Sequence, residues 1–272
     1  MLIGFPSDSG VTRNGGRPGA AQGPTALREA LYRMTPDARC LARFTALLDR
    51  TLDSGDVPVS GDLEQDQVRL AEAVGAALAS GAVPIVLGGG HETAYGHALG
   101  YLTTGRRVSL LNWDAHADVR TLVDGRGHSG SPFRQALEHA SGLAVSYTAA
   151  GLLPWRVASD HAAYVEAHGA VVWGSDLDAG RIDHLVDALD APTYVSFDLD
   201  AVDGVAGVSA PGVGGMAAGL WLHAAEACAR SRHVTSLDVV ELSPPHDADG
   251  RAATLAALTV WHMLRGLSER DA

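Results

Sequence analysis

Short apolar runs, each followed by a turn and then a helical stretch, constrain the fold of this chain more than any other feature. The runs are continuous and do not alternate between apolar and polar residues, so the strands they predict are covered on both faces. Such strands belong to a mainly parallel sheet with helices on both sides. The strands predicted in this way are Val83–Leu87, Val108–Trp113, Ala144–Thr148, Ala170–Trp173, Thr193–Phe197 and Val234–Val239.

The amino-terminal part adds a further strand, a loop and two helices. Leu2–Phe5 predicts a short buried strand, and the glycine-rich segment Pro6–Gly23 predicts a loop that a ligand could approach closely. Helices are predicted at Pro24–Leu31, where proline is tolerated in the first turn, and at about Leu63–Ser80, where apolar residues recur at helical spacing.

Length and composition favour one domain and exclude some partners. With 272 residues, 46% of them hydrophobic, the chain can bury one large core, and we predict a single α/β domain over residues 1–272. The 20 Lys and Arg residues are outnumbered by 32 Asp and Glu residues, for a net charge of −12. Nucleic acid is not an expected partner, because phosphate binding requires a positive stripe.

The cysteines and the amino terminus indicate a cytoplasmic protein. Cys40 and Cys228 are far apart and lack the spacing of a zinc knuckle or a disulfide framework. The first residues show neither the basic region nor the apolar stretch of a signal peptide, and no segment approaches the length of a membrane span. We therefore expect no membrane partner.

The segment Asp114-Ala115-His116-Ala117-Asp118 follows the predicted strand Val108–Trp113 and predicts a metal site. If the backbone stays extended there, alternate side chains point to one spot. Carboxylate oxygens combined with an imidazole suit Mn²⁺, Fe²⁺, Co²⁺ or Zn²⁺ better than Ca²⁺, which prefers oxygen ligands alone.

Other strand ends carry residues of the same kind. Gly88-Gly89-Gly90-His91-Glu92 follows one predicted strand, Asp198-Leu199-Asp200-Ala201-Val202-Asp203 follows another, and Glu241 follows a third. Ligands of parallel α/β sheets lie at the carboxyl ends of strands, and several buried carboxylates require cations to compensate them. The triple glycine lacks the Lys-Ser/Thr pair of a phosphate-binding loop, and instead allows His91 to approach the aspartates.

Together these motifs resemble the ureohydrolase family, which contains arginase, agmatinase and formimidoylglutamase, over nearly the whole chain. The resemblance implies an arginase-like, three-layer α/β/α fold with roughly eight strands and two Mn²⁺ ions per chain. One ion would be bound by His91, Asp114, Asp118 and Asp198, and the second by Asp114, His116, Asp198 and Asp200. The implied reaction is hydrolysis of a C–N bond by a hydroxide that bridges the ions, with Glu241 facing the cationic C–N group of the substrate. We add the hypothesis that Asp118, or a metal-bound water, passes a proton to the departing amine.

The segment Asp124–Gln135 distinguishes between members of the family. Arginases and agmatinases have a histidine immediately before the glycine that corresponds to Gly130, whereas this chain has Ser129. His128 lies one residue earlier, so on an extended segment its side chain points the opposite way. The sequence around Ser129 resembles formimidoylglutamases, as do three further segments: Asn14–Ala21, Asp118–Arg120 and Pro244–Arg251.

This similarity implies hydrolysis of N-formimidoyl-L-glutamate to L-glutamate and formamide, a late step of histidine degradation. The substrate carries two carboxylates, which arginine binds with its planar guanidinium. Arg126 and Arg134 rank first because they flank the loop around Ser129 within this segment, and Ser129 and Gly130 are further predicted substrate contacts. Arg120 and Arg156 are the other candidates near the rim.

Two alternatives stay open at this point. A guanidine hydrolase that releases urea, such as an agmatinase or arginase, would share every metal ligand and differ in its loops. A metal-binding or nucleotide-binding module without catalysis would leave six well-placed ligands idle. The sequence is also compatible with a homo-oligomer.

Overall fold

A sheet runs through the centre of the computed structural model, which describes residues 1–270. Its strands, numbered in chain order, are β1 (Leu2–Phe5), β2 (Asp53–Asp56), β3 (Ile85–Gly88), β4 (Val108–Trp113), β5 (Ala144–Leu152), β6 (Gly169–Trp173), β7 (Thr193–Asp198) and β8 (Val234–Val240). They form one 8-stranded sheet in the order β2-β1-β3-β8-β7-β4-β5-β6, and every neighbouring pair is parallel.

Helices cover both faces of this sheet. They are α1 (Ser9–Arg13), α2 (Gly23–Leu31), α3 (Leu41–Leu48), α4 (Leu63–Ala79), α5 (Thr93–Leu102), α6 (Pro132–Leu137), α7 (Ser159–His168), α8 (Ala179–Asp187), α9 (Ala218–Arg230) and α10 (Arg251–Ser268). One apolar cluster joins the sheet to α2, α3, α8, α9 and α10, and a second joins it to α4, α5, α6 and α7. The predicted three-layer fold is therefore confirmed. Within residues 1–270, no helix combines the length and the apolar character that a membrane span needs.

The local sequence explains where several elements begin. Pro24 occupies the first turn of α2, where its missing N–H breaks no helical hydrogen bond. Asp62 caps α4 by accepting a hydrogen bond from the backbone N–H of Gln65. Strand β3 begins at Ile85, later than the predicted Val83, since Pro84 has no N–H to donate to a neighbouring strand.

Further parts of the fold differ from the sequence prediction. Strand β2 was not predicted because Asp53–Asp56 is polar and pairs only with β1 at the edge of the sheet. Strand β5 continues past Thr148 to Leu152 because these additional residues are also buried. The predicted loop Pro6–Gly23 contains the short helix α1 and the 3₁₀ turn Ala20–Gln22.

The order of the strands positions the functional site. The strands β3, β8, β7 and β4 are consecutive at the centre of the sheet, and all of them run in the same direction. Each is followed by one of the polar motifs found in the sequence. Their carboxyl ends therefore bring those motifs together at one edge.

Candidate metal centre

The aspartates that follow β7 reach the site through a tight turn. Asp198 is the last residue of the strand, and Asp200 lies in the 3₁₀ turn Leu199–Ala201. The Asp198 carboxylate accepts a hydrogen bond from the backbone N–H of Asp200 at 2.9 Å, which fixes both side chains near each other. Asp203, which was predicted to belong to the same group, is exposed and accepts a hydrogen bond from Gly214 instead.

The segment after β4 is bent, contrary to the extended backbone assumed from the sequence. The strand ends at Trp113, residues 114–116 form a bend, and Asp118 adopts a left-handed conformation with φ 47°. Within the bend, the Asp114 carboxylate accepts a hydrogen bond from the backbone N–H of His116 at 2.7 Å. The turn still directs all three side chains of Asp114, His116 and Asp118 toward the residues of neighbouring strands.

Two groups of potential ligands result. The Nδ1 atom of His91 lies 2.8 Å from Asp118, 2.9 Å from Asp198 and 3.3 Å from Asp114. The Nδ1 atom of His116 lies 3.0 Å from Asp200 and 3.4 Å from Asp114. The candidate ligand atoms within each group lie within 4.8 Å of one another, and Asp114 belongs to both groups. Asp198 belongs to the first group only.

The electrostatics of the centre reflect an excess of buried carboxylates. Burial disfavours the imidazolium of His91, but Asp114, Asp118 and Asp198 outweigh this effect and raise the pKa of His91 well above its ordinary value. For Asp198, burial and the charges on Asp200 and Asp114 raise the pKa well above the ordinary value. His91 and Asp198 thus favour proton binding, which is the response expected where cations are required.

The donor set fits divalent cations. His91 Nδ1 and one carboxylate oxygen of Asp200 are buried and have no hydrogen-bond partner among residues 1–270. His91 Nδ1 faces the carboxylates of the first group, and oxygen and imidazole donors suit Mn²⁺ and related ions. We conclude that the residues present can hold a pair of such ions.

Glu241 lies at the same edge of the sheet, and its backbone conformation and one hydrogen bond hold its side chain in place. It has a left-handed conformation with φ 69°, and its Oε1 atom accepts a hydrogen bond from the backbone N–H of His91 at 2.6 Å. The Oε2 atom is buried without a partner in the described part of the chain. Burial raises the pKa of Glu241 to about 7, and the nearby Ser209 opposes this shift in part.

A second buried glutamate, Glu92, was not selected by the sequence analysis. It is fully buried, and its Oε1 atom accepts a hydrogen bond from the backbone N–H of Gly10 in α1 at 2.7 Å. Burial, with the charge of Glu241, raises the pKa of Glu92 to about 8. Its position directly after His91 in a glycine-rich turn was the available signal.

A cavity of about 80 Å³ opens above the two groups. The amino-terminal segment, the distinguishing segment and the loop after β7 contribute to its walls. Its lining residues are Val11, Asn14, Gly16, His91, His116, Asp118, Arg120, Ser129, Asp198, Asp200, Ser209, Ala210 and Glu241.

Asn14 connects two of the cavity walls. Its amide nitrogen donates to the hydroxyl of Ser129 at 3.1 Å, and its amide oxygen accepts from Arg120 at 3.2 Å. The carbonyl of Gly130 accepts a hydrogen bond from the backbone N–H of Arg120 at 2.8 Å. The predicted contact Ser129 therefore lies beside Arg120 at the cavity wall, whereas Gly130 contacts the Arg120 backbone and is not among the residues that line the cavity.

The structure does not bring Arg126 and Arg134 to the cavity wall. Arg126 is largely exposed and forms an ion pair with Glu64 at 2.6 Å. Arg134 donates to the Val119 carbonyl at 2.7 Å and pairs with Glu138 at 2.9 Å. Their assignment to the substrate stays a prediction.

Two other residues near the rim have defined protein contacts. Arg156 donates to the carbonyls of Ala210 and Pro211 and lies 3.2 Å from the Nε2 atom of His116. The His128 ring is buried and lies 3.0 Å from the Thr121 carbonyl, and it is not among the residues that line the cavity.

A parallel sheet with aspartates and histidines gathered at the ends of its central strands is the arrangement of a ureohydrolase. The chain belongs to the arginase family, whose model matches residues 1–265. It is 40% identical to a formimidoylglutamase of Rhodococcus jostii, with 94% of this chain and 82% of that protein covered. It is 37% identical to a formimidoylglutamase of Klebsiella pneumoniae, with 96% and 84% covered.

A solved structure shows the same relationship. The formiminoglutamase of Trypanosoma cruzi, determined with Mn²⁺, has a TM-score of 0.88 and 33% identity to this chain, and covers 99% of this chain and 93% of its own. The family and the fold predicted from the sequence are confirmed.

Proposed function

We propose that this protein is a manganese-dependent hydrolase that converts N-formimidoyl-L-glutamate and water to L-glutamate and formamide, on a single domain spanning residues 1–272. The observation that carries the proposal is the meeting of four motif-bearing strand ends at one cavity in a chain up to 40% identical to formimidoylglutamases. A catalytically idle metal-binding module does not account for this similarity.

Two Mn²⁺ ions are the proposed cofactor, in line with the Mn²⁺ of the related Trypanosoma cruzi structure. The residues proposed to hold them are His91, Asp114, His116, Asp118, Asp198 and Asp200. When bound, such an ion pair lowers the pKa of a water molecule enough to supply hydroxide near neutral pH.

Glu241 and Asp118 are the proposed catalytic residues. Glu241 presents a buried, unpartnered oxygen at the cavity, which suits a charge-assisted hydrogen bond to the cationic formimidoyl nitrogen. The Asp118 side chain is 11% exposed and lines the cavity, so it can move a proton to the departing amine of glutamate. An Asp118→Asn protein that retained both metal ions and full activity would contradict this second role.

We place the substrate carboxylates near Arg120. Arg120 is exposed at the cavity wall, where Asn14 holds one of its nitrogens. Arg126 and Arg134 already have acidic partners, whereas no carboxylate of residues 1–270 is in an ion pair with Arg120. Its planar guanidinium is therefore available to bind a carboxylate with two hydrogen bonds.

The test is turnover of N-formimidoyl-L-glutamate beside agmatine and L-arginine after loading with Mn²⁺. We expect formamide and glutamate from the first substrate and no urea from the other two. Preferential release of urea from agmatine or arginine would establish the guanidine hydrolase instead. Absence of turnover on all three substrates by a protein that binds Mn²⁺ would contradict the proposal.

Self-association is a separate proposal. A mainly parallel α/β domain offers several faces for it, and light scattering of the Mn²⁺-loaded protein measures the mass directly.

A further inference from the structure

A buried group of polar side chains contacts His91 on the ring edge opposite the carboxylates. We call it the Asp238 network; each member has 0% exposure, and none lines the cavity. Its members are Tyr194, Ser196, Ser236, Asp238 and His97. Buried polar groups of this kind persist only where their hydrogen bonds are satisfied.

Asp238 is the centre of this network. Its Oδ1 atom accepts a hydrogen bond from Ser196 at 2.6 Å, while Oδ2 contacts His97 Nδ1 at 3.0 Å and accepts from the Tyr194 hydroxyl. The His97 ring stacks on the Tyr194 ring with 4.0 Å between centroids, and its Nε2 atom lies 2.8 Å from the hydroxyl of Ser236. The carboxylate is thus held in one orientation from three sides.

Ser196 links this network to His91. Its hydroxyl oxygen lies 3.0 Å from His91 Nε2. Ser196 has a single hydroxyl proton, and it donates this proton to Oδ1 of Asp238. Ser196 can then only accept from His91, which places the ring proton on Nε2.

The consequence appears at the other ring nitrogen. A neutral imidazole with its proton on Nε2 has a free lone pair on Nδ1, and this is the atom that faces Asp118 and Asp198. A metal ligand needs that lone pair, and the partner of the second ring nitrogen fixes both the tautomer and the ring orientation.

We propose that Asp238, acting through Ser196 and held by His97 and Tyr194, is a positioning residue that presents Nδ1 of His91 to a metal ion. The inference rests on the metal site of the proposed function. Loss of such an outer partner lowers metal affinity by roughly 10- to 100-fold. The effect is confined to the ion bound by His91, since the group of His116 and Asp200 has no contact with Ser196 among the hydrogen bonds of residues 1–270.

The experiment is calorimetric titration of Mn²⁺ into metal-stripped full-length protein. For Ser196→Ala and Asp238→Asn we expect two binding events, of which one is weakened roughly 10- to 100-fold and the other is unchanged. Ser196→Thr keeps the hydroxyl and is expected to restore wild-type affinity. Ser236→Ala is the matched control, because Ser236 is equally buried in the network but contacts His97 and not His91.

Ser196→Ala leaves the contacts of Asp238 with His97 and Tyr194 in place, so this variant can be measured even if Asp238→Asn does not fold. The inference is overturned if Ser196→Ala binds both ions as tightly as the wild type. It is also overturned if Ser236→Ala weakens binding as much as Ser196→Ala does, since that result indicates general loss of packing. A wild-type protein that binds no Mn²⁺ refutes the proposed function itself, and the inference with it.

Discussion

Two regions of this molecule are rich in carboxylates, and they balance their charge in different ways. Where α9, α10 and the segment before α3 meet, Arg265 forms ion pairs with Glu226, with Asp37 at 3.0 Å and with Glu269 at 3.5 Å. At the carboxyl ends of the central strands, the aspartates face two imidazoles at comparable distances, and no Arg or Lys among residues 1–270 forms an ion pair with them. The first region carries its own cation, whereas the second requires cations from solution.

This difference separates stability from function. Ion pairs between residues of the chain contribute in the absence of any ligand. A cluster of buried carboxylates without guanidinium partners costs stability until cations bind. The two regions should therefore respond differently to metal, to substitution and to pH.

The largest expected effect is at the metal centre. Asp198→Asn removes one buried charge, so we expect activity to fall by about 10³-fold or more, since a metal ion loses a ligand. The metal-free variant should be more stable than metal-free wild type by about 1 to 3 kcal/mol, because the repulsion among carboxylates decreases. Steady-state assays and urea unfolding in chelator measure the two quantities. A metal-free variant that is less stable than the wild type would contradict the comparison.

The next effect concerns cations at the cavity. Arg120 has no acidic partner among residues 1–270, whereas Arg126 has Glu64, so we expect Arg120→Ala and not Arg126→Ala to change substrate recognition. A charge-assisted hydrogen bond is worth about 1.5 to 3 kcal/mol, so we expect KM for N-formimidoyl-L-glutamate to rise roughly 10- to 100-fold with little change in kcat. Arg126→Ala is the control. A larger rise in KM for Arg126→Ala than for Arg120→Ala would reverse this assignment.

The ion pairs of the helical region should be insensitive to metal. Arg265→Met keeps the aliphatic stem but removes the charge, and we expect a loss of about 2 kcal/mol in the free energy of unfolding. The loss should be the same with Mn²⁺ and with chelator, because these residues lie outside both ligand groups. Chemical unfolding under both conditions is the measurement. A loss that appears only with Mn²⁺ would show that the two regions are coupled.

The smallest effect is the pH dependence of a surface pair. Hydrogen bonding to Arg126 lowers the pKa of Glu64 from 4.5 to about 2. A carboxyl group with a depressed pKa stabilises the fold above its ordinary pKa, and this contribution is lost as the pH falls from about 4.5 toward 2. Because the Glu64 side chain is 43% exposed, we expect less than about 1 kcal/mol. Comparison of the unfolding of Glu64→Gln and wild type from pH 6 to pH 3 tests the sign: the difference should shrink as the pH falls.

The sequence predicted the central strands because their burial on both faces leaves continuous apolar runs. It did not predict β2, whose polar residues Asp53–Asp56 lie at the edge of the sheet and carry no such signal. The convergence of the side chains after β4 was predicted from an extended backbone, but the backbone there is bent. The left-handed φ of Asp118 cannot be recognised from a pattern of residue types.

The candidate ligands could be recognised because each follows an apolar strand. The residues that surround these ligands could not be recognised from the sequence, because their hydrogen-bond partners lie far away in the chain. Glu92 bonds to Gly10, and Asp238 bonds to Ser196; Asn14 is a further example. Arg126 and Arg134 ranked first as contacts for the substrate carboxylates because they lie near Ser129 in the sequence. The structure shows that they form ion pairs with Glu64 and Glu138.

The left-handed backbone of Asp118 and Glu241 has a consequence for engineering. Such conformations cost non-glycine residues roughly 1 to 3 kcal/mol each, and glycine adopts them freely. Glycine at either position would relax the backbone and remove a carboxylate from the cavity. A selection for thermal stability alone would thus favour loss of the two proposed catalytic groups, and a library aimed at a more robust enzyme should keep these two positions fixed.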